Sequence, residues 1–370
     1  MKDKRNRVQV VAWSVCALLL VALITLVYTD RKNYQKRIIE MQLEAQSQSE
    51  ESENSFDTEA ANNIYNELID NLSLPNIICW GDDEMIGNGK YTLPKALESI
   101  ANEKLLSSLS ECFGSKVDIR ADSVPSILIN NMGVSNEGME EILTRSGVDE
   151  LEVGEWVLIP SDKKPVNLVF RDGDTGNTLH FGKQKETTFG KVEISGVEGV
   201  LTKGDGEYDE EHPRFAFVRD EKGDSFQAGM GTKIEVESAT KFLGYIPILF
   251  LGEESLDTVD SADEFVGDLE RLVERYTEIE EEDSEPSEKL PYVVICTVDE
   301  DSELDESMRE AFSDRYIRND TNASEMKEND YKKLAQKVYT NLDGQGCFDQ
   351  VKEMIENAAE ELKAFEQDKT

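Results

Sequence analysis

Three runs, "NIICW" at 76–80, "YIPILFLG" at 245–252 and "PYVVICTV" at 291–298, are apolar at consecutive positions rather than alternate ones. A strand of that kind has both faces covered, as in parallel sheets whose crossover helices lie above and below. The segments around these runs, at 93–112, 262–282, 305–312, 327–342 and 348–366, have helical spacing. Strand–helix alternation of this sort specifies an α/β fold on a parallel sheet, with ligand sites beyond the carboxyl ends of the strands. "KVDIR" at 116–120 reads as the second strand, "NMGVSNEGMEEILTRSG" as a loop entering a helix, and "DRYIRN" as a short final strand. From 148 to 240 the texture changes. "WVLIP", "VNLVF", "KVEIS", "RFAFV" and "KIEVE" are separated by Gly, Asp and Lys clusters, which predicts an all-β insertion. It divides the α/β domain into parts at 57–147 and 241–370.

Residues 8–28, "VQVVAWSVCALLLVALITLVY", carry no charge. As a helix they would span about 31 Å, the thickness of a bilayer core. The run is too long for the apolar core of a signal peptide, and no small-x-small cleavage site comes before "TDRKNY". An uncleaved transmembrane anchor is expected. Basic residues flank both ends, and the short "MKDKRNR" makes an inside N-terminus the simpler orientation. Residues 1–7 are then a cytoplasmic tail and 29–56, rich in Glu, Ser and Gln, a flexible stalk. The main domain is expected on the outer side of the cell membrane.

The formal charge is −39. Eight Lys/Arg against Asp3 and Asp30 give the first 37 residues +6, which leaves −45 for the rest. So acidic a body is repelled by phosphate backbones, which excludes nucleic acid as a partner. Of five cysteines, Cys16 lies in the apolar run, and Cys79 and Cys296 in strands, where they read as small buried hydrophobes. The histidines are His180 and His212 alone, and no Cys/His cluster predicts zinc.

"IICWGDDEMIGNG" resembles block I of the SGNH (GDSL-like) hydrolases, where a strand ends in Gly-Asp-Ser and the serine is the nucleophile. "INNMGVSNEG" is similar to block II, whose glycine supplies an oxyanion-hole amide, and "ILFLGEES" to block III, usually Gly-x-Asn-Asp. "NDTNASEMKENDYKKLAQKVYTNL" resembles block V, an Asp-x-x-His ahead of the last core helix. The resemblance spans roughly residues 74–350, and the insertion, with "VEISGVEGVLT", is similar to one in some bacterial cell-surface members. It implies a flavodoxin-like, three-layer, doubly wound parallel sheet carrying the insertion.

It also implies where chemistry would sit. Ester hydrolysis needs a serine, a histidine base oriented by an aspartate, and donors facing the oxyanion. On this chain the serine position is Asp83 and the block III asparagine is Glu254. The histidine falls on Glu325 and its aspartate on Asn322. Block II keeps Gly133, but its second small residue is Asn136. Gly81, Asp82, Gly252 and Tyr331 are retained. Ser135 lies near the loop without a histidine to activate it, and His180 and His212 fall in the insertion.

A carboxylate at 254 repels an oxyanion. The expectation is therefore a pseudoenzyme that binds or organises a cell-surface glycan or protein. The alternative is an active esterase or glycan deacetylase with a non-standard site. Asp83, Glu254 and Glu325 leave three readings open: a relaxed solvated site, an oxygen-ligand site for Ca²⁺ or Mg²⁺, and a paired-carboxylate glycosidase. Cys112 and Cys347 end the first and last core helices, which commonly lie side by side in sheets of this type, so a disulfide between them is a further expectation.

Overall fold

The structure is a computed structural model that describes residues 58–134, 137–153, 157–159, 166–168, 170–172, 188–203, 215–224, 226–229, 231–256, 259, 261–277 and 290–367. The anchor at 8–28 and the stalk at 29–56 lie outside these residues. Among the described helices none is long and apolar enough to cross a membrane.

The chain divides into two compact units, one of residues 73–105 and 126–353 and one of residues 1–72, 106–125 and 354–370. The first is mixed α/β. Its strands begin with β1 (Ile77–Gly81) and β2 (Ile129–Gly133), and nine short strands, β3 to β11, follow between Leu151 and Val236. Then come β12 (Ile246–Leu251), β13 (Val293–Thr297) and β14 (Tyr316–Asn319). The helices in chain order are α1 (Thr58–Asn71), α2 (Asp83–Ile86), α3 (Leu93–Phe113), α4 (Met139–Ser146) and α5 (Glu237–Lys241). After these come α6 (Glu253–Leu256), α7 (Ala262–Thr277), α8 (Glu303–Phe312), α9 (Glu328–Gly344) and α10 (Asp349–Gln367).

Five parallel strands form one sheet in the order β14-β13-β12-β1-β2. Successive side chains leave a strand on opposite faces, and the two cores sort by that rule. Ile77, Cys79, Ile248, Phe250, Val293 and Ile295 pack with Leu97, Leu334 and Val338. Ile78, Trp80, Leu249, Leu251, Val294 and Cys296 pack with Ile142, Phe265, Leu269 and Met308. Both faces are dry, and for that reason the central strands have no polar alternation. Between β2 and β12 the chain builds an antiparallel sheet of order β11-β7-β8-β9-β5, with its own core of Val192, Ile194, Leu201, Phe217 and Ile234.

The second strand differs from its sequence expectation. No strand forms at 116–120; Gly114–Lys116 is a 3-10 turn, and the strand beside β1 is Ile129–Gly133. An edge strand has one neighbour and partly wet faces, so Asn130 and Asn131 are admissible where a central strand would need Val or Ile.

In the smaller unit Tyr65 meets Phe113 edge-on at 5.3 Å, and the Cys112 Sγ–H donates to the Ile355 carbonyl at 3.7 Å. Cys112 and Cys347, between which a disulfide is expected from the sequence, stand as free thiols. Cys112 is directed at that carbonyl, and Cys347 packs against the core cluster of Leu342 and Phe348, where burial pushes its thiol up to about 12.

Candidate functional site

β1 ends at Gly81, and two neighbouring strands also reach glycine at this level: Gly133 at the end of β2 and Gly252 just past β12. Each is required by a close approach. A Cβ on Gly81 would lie 2.0 Å from the Phe250 carbonyl oxygen, and one on Gly133 would lie 2.8 Å from the Met85 Cβ. At Gly252 it would meet the Glu84 Cγ at 2.5 Å. Bare backbone at these strand ends lets the one-turn helix α2 sit directly on the sheet, with Met85 and Glu84 turned inward.

Asp82 caps that helix and is fully buried. Its Oδ1 accepts from Glu84 N at 2.9 Å. Its Oδ2 accepts from Gly252 N at 2.9 Å, Ser255 Oγ at 2.9 Å and Ser255 N at 3.4 Å. Burial pushes the carboxyl above its ordinary range, against the pull of the bonds from Gly252, Glu84 and Ser255. Both oxygens are fully committed to holding two strand ends together, so Asp82 is a scaffold residue.

Glu84 is the group that the sequence did not mark. It is 6% exposed, and its Oε2 accepts from Thr297 Oγ1 at 2.8 Å and from Ala323 N at 2.9 Å. Asn319 Nδ2 donates to the same threonine oxygen at 3.0 Å, so the threonine proton must point to Glu84. One carboxyl thus joins α2, the end of β13 and the turn after β14. That turn is pinned again by Tyr331 Oη donating to the Ala323 carbonyl at 2.6 Å and Asn88 Nδ2 donating to the Met326 carbonyl at 2.8 Å. Burial pushes Glu84 up to about 7, with Thr297 and Ala323 opposing and the charges of Asp82 and Asp83 adding.

On the β2 side, the strand ends rest on a buried ion pair. The Arg145 guanidinium meets the Glu137 carboxylate at 2.6 Å, donates to the Met132 carbonyl at 2.6 Å and lies 4.9 Å over the Trp80 ring. It fixes the chain on both sides of Gly133.

Of the positions implied by the resemblance, Asp83 opens α2 and is half-buried, and its carbonyl accepts from Gly87 N. The Gly133 N–H, the implied oxyanion donor, is directed at its own strand, to Asn131 Oδ1 at 2.9 Å. Asn322 and Glu325 lie in the turn that Glu84 holds, and both are exposed; the buried members are Ala323 and Met326. Glu254 lies in α6, with its side chain outside the described residues, as are Ser135, Asn136, His180 and His212. Among the described residues no group of three or more His, Cys, Asp or Glu is placed to hold a metal ion.

No one-dimensional signal could have found Glu84, because an acid beside two other acids reads as solvated surface. Its titration gives a test. The folded state keeps the Glu84 proton up to about pH 7, whereas an unfolded glutamate releases it near 4.5. Between these the folded chain binds more protons, so stability is complete below the lower value and falls as pH rises through 7. The loss amounts to roughly 3 kcal/mol. Urea midpoints at pH 5 and pH 7.5 should differ accordingly, and Glu84→Gln should flatten the difference. An equal drop in both proteins would refute the assignment.

Comparison with protein-family models, curated proteins and solved structures finds no match to this chain.

Proposed function

We propose that this chain is a membrane-anchored, extracytoplasmic protein of SGNH-hydrolase-like architecture that works by binding a cell-surface glycan or protein and does not hydrolyse esters. Numbered along the chain, the parallel strands run 2-1-3-4-5, the flavodoxin-like doubly wound order, whose switch point, where such sheets bind ligands, lies beside β1. The observation that carries the reading is the convergence of four distant blocks at one end of the sheet. Asp82 bonds Gly252 and Ser255, Glu84 bonds Ala323, and Gly81 pairs with Gly133. Gly81, Asp82, Gly133, Gly252 and Tyr331, which the resemblance retains, all belong to this frame. The positions that would carry chemistry are Asp83, Glu254 and Glu325 instead of Ser, Asn and His. The oxyanion amide at Gly133 is engaged by Asn131. The serine and histidine of the family are replaced and the Gly133 amide is engaged, which supports a binding role over acyl transfer.

Full-length protein in detergent should turn over p-nitrophenyl acetate no faster than buffer containing detergent alone. Turnover above that background, lost in Asp83→Asn, would overturn the proposal in favour of a working hydrolase. Retention on isolated cell-wall polysaccharide or on a membrane-protein fraction would then separate glycan from protein as the ligand.

A further inference from the structure

β14 closes the parallel sheet on one side: it pairs with β13 from Tyr316 to Asn319 and, among the described residues, with no strand beyond. In a ladder each residue turns its N–H and C=O to the same side, and neighbours alternate. The Asn319 carbonyl accepts from Val298 N at 3.3 Å, so Asn319 and Ile317 face β13. Tyr316 and Arg318 therefore face outward. The Tyr316 N–H already closes the preceding turn onto the Ser313 carbonyl. This leaves the Tyr316 carbonyl together with the Arg318 N–H and carbonyl, two acceptors and a donor in the spacing an added strand of either direction requires.

A groove of about 550 Å³ runs along this edge, with Tyr316, Ile317 and Arg318 on the strand side and Gln336, Lys337 and Thr340 of α9 opposite. Most of its lining is apolar, as suits alternate side chains of an extended segment. The α9 face there carries Lys333, Gln336, Lys337, Thr340 and Asn341, at i, i+3, i+4, i+7 and i+8, with no acid among them. That is unusual in a chain with 78 acidic and 39 basic residues. Arg318 is paired with Glu300 and Asp320, whereas Lys337 has no ion-pair partner among the described residues.

We propose that the groove between β14 and α9 captures an extended acidic peptide of a partner protein by strand addition. The partner's backbone bonds to Tyr316 and Arg318, its inward side chains fill the groove and a carboxylate reaches Lys337. This surface is independent of the site at the carboxyl ends of the strands, so the esterase result above does not bear on it.

The probe is a fluorescein-labelled, N-acetylated peptide with Val and Glu in turn at its inward positions and Thr between them (the Glu–Val peptide), with its Lys-for-Glu counterpart (the Lys–Val peptide) as control, read by anisotropy against the full-length protein in detergent. The Glu–Val peptide should saturate below about 1 mM and the control should not. Lys337→Glu should weaken binding roughly fivefold, and Thr340→Trp, which fills the groove, by at least about tenfold. Arg318→Pro removes the outward N–H and should do the same where its melting curve matches wild type; Thr340→Trp decides if it does not fold. No binding of the Glu–Val peptide, or binding unmoved by both α9 substitutions, would overturn the proposal. So would a self-associated protein in sedimentation that Thr340→Trp converts to monomer, because the edge would then serve a second copy of the chain.

Discussion

Asp82→Ala should cost about 3–6 kcal/mol, a large part of the 5–15 kcal/mol by which domains are stable. The carboxylate is fully buried and accepts from three backbone N–H groups, of Glu84, Gly252 and Ser255, and from the Ser255 hydroxyl. The hydroxyl has a second acceptor in the Glu137 carbonyl at 3.4 Å, whereas the Glu84 and Gly252 N–H groups bond to no second acceptor among the described residues. Each buried donor left without an acceptor costs about 1–3 kcal/mol. Asp82→Asn keeps one oxygen and turns an amide donor toward the other set of donors, so it should fall between wild type and Ala. Urea unfolding followed by far-UV circular dichroism measures all three. An unchanged midpoint for Asp82→Ala would remove the carboxylate from the role assigned to it.

Arg145→Met should be comparably severe, about 3–5 kcal/mol. Arg145 and Glu137 have side chains only 3% and 0% exposed, so removing the cation takes the ion-pair partner from a buried carboxylate and also a donor from the Met132 carbonyl. The cost lies in the buried charge left behind more than in the lost pair. Arg145→Met combined with Glu137→Gln should therefore recover a substantial part of the stability, since a neutral amide is far cheaper to bury than an anion. A double-mutant cycle on thermal melts checks this, and simple additivity of the two losses would contradict it. Because the pair grips the chain around Gly133, the double variant separates the stability of the body from the shape of that loop.

The two tests concern residues that a reading of the chain treats very differently. Asp82 is visible in the sequence as part of a Gly-Asp-Asp strand terminus. Arg145 and Glu137 are not, because a charged residue near a helix end or in a loop is ordinarily solvated. The strands themselves divide the same way. β1, β12 and β13 are legible since two-sided burial demands unbroken apolar runs, and the helices around them since one-sided burial demands a 3.6-residue period. β2 is illegible for the converse reason. At the sheet edge "INNMG" has too little buried surface to impose a pattern, whereas "KVDIR", with Val117 and Ile119 buried one at a time, imitates one.

The sequence by itself determined the α/β class, the position of the antiparallel insertion and the acids that stand at 83, 254 and 325, since periodicity, composition and residue identity are local properties. Only the tertiary structure decided which acids are buried. Asp82 reaches donors 170 and 173 residues away and Glu84 a donor 239 residues away. Glu325, chemically the same as Glu84, stays in water. Whether a carboxyl is solvated, committed to scaffold or raised toward neutral pH depends on groups brought to it from other strands, and a one-dimensional reading carries no trace of that desolvation.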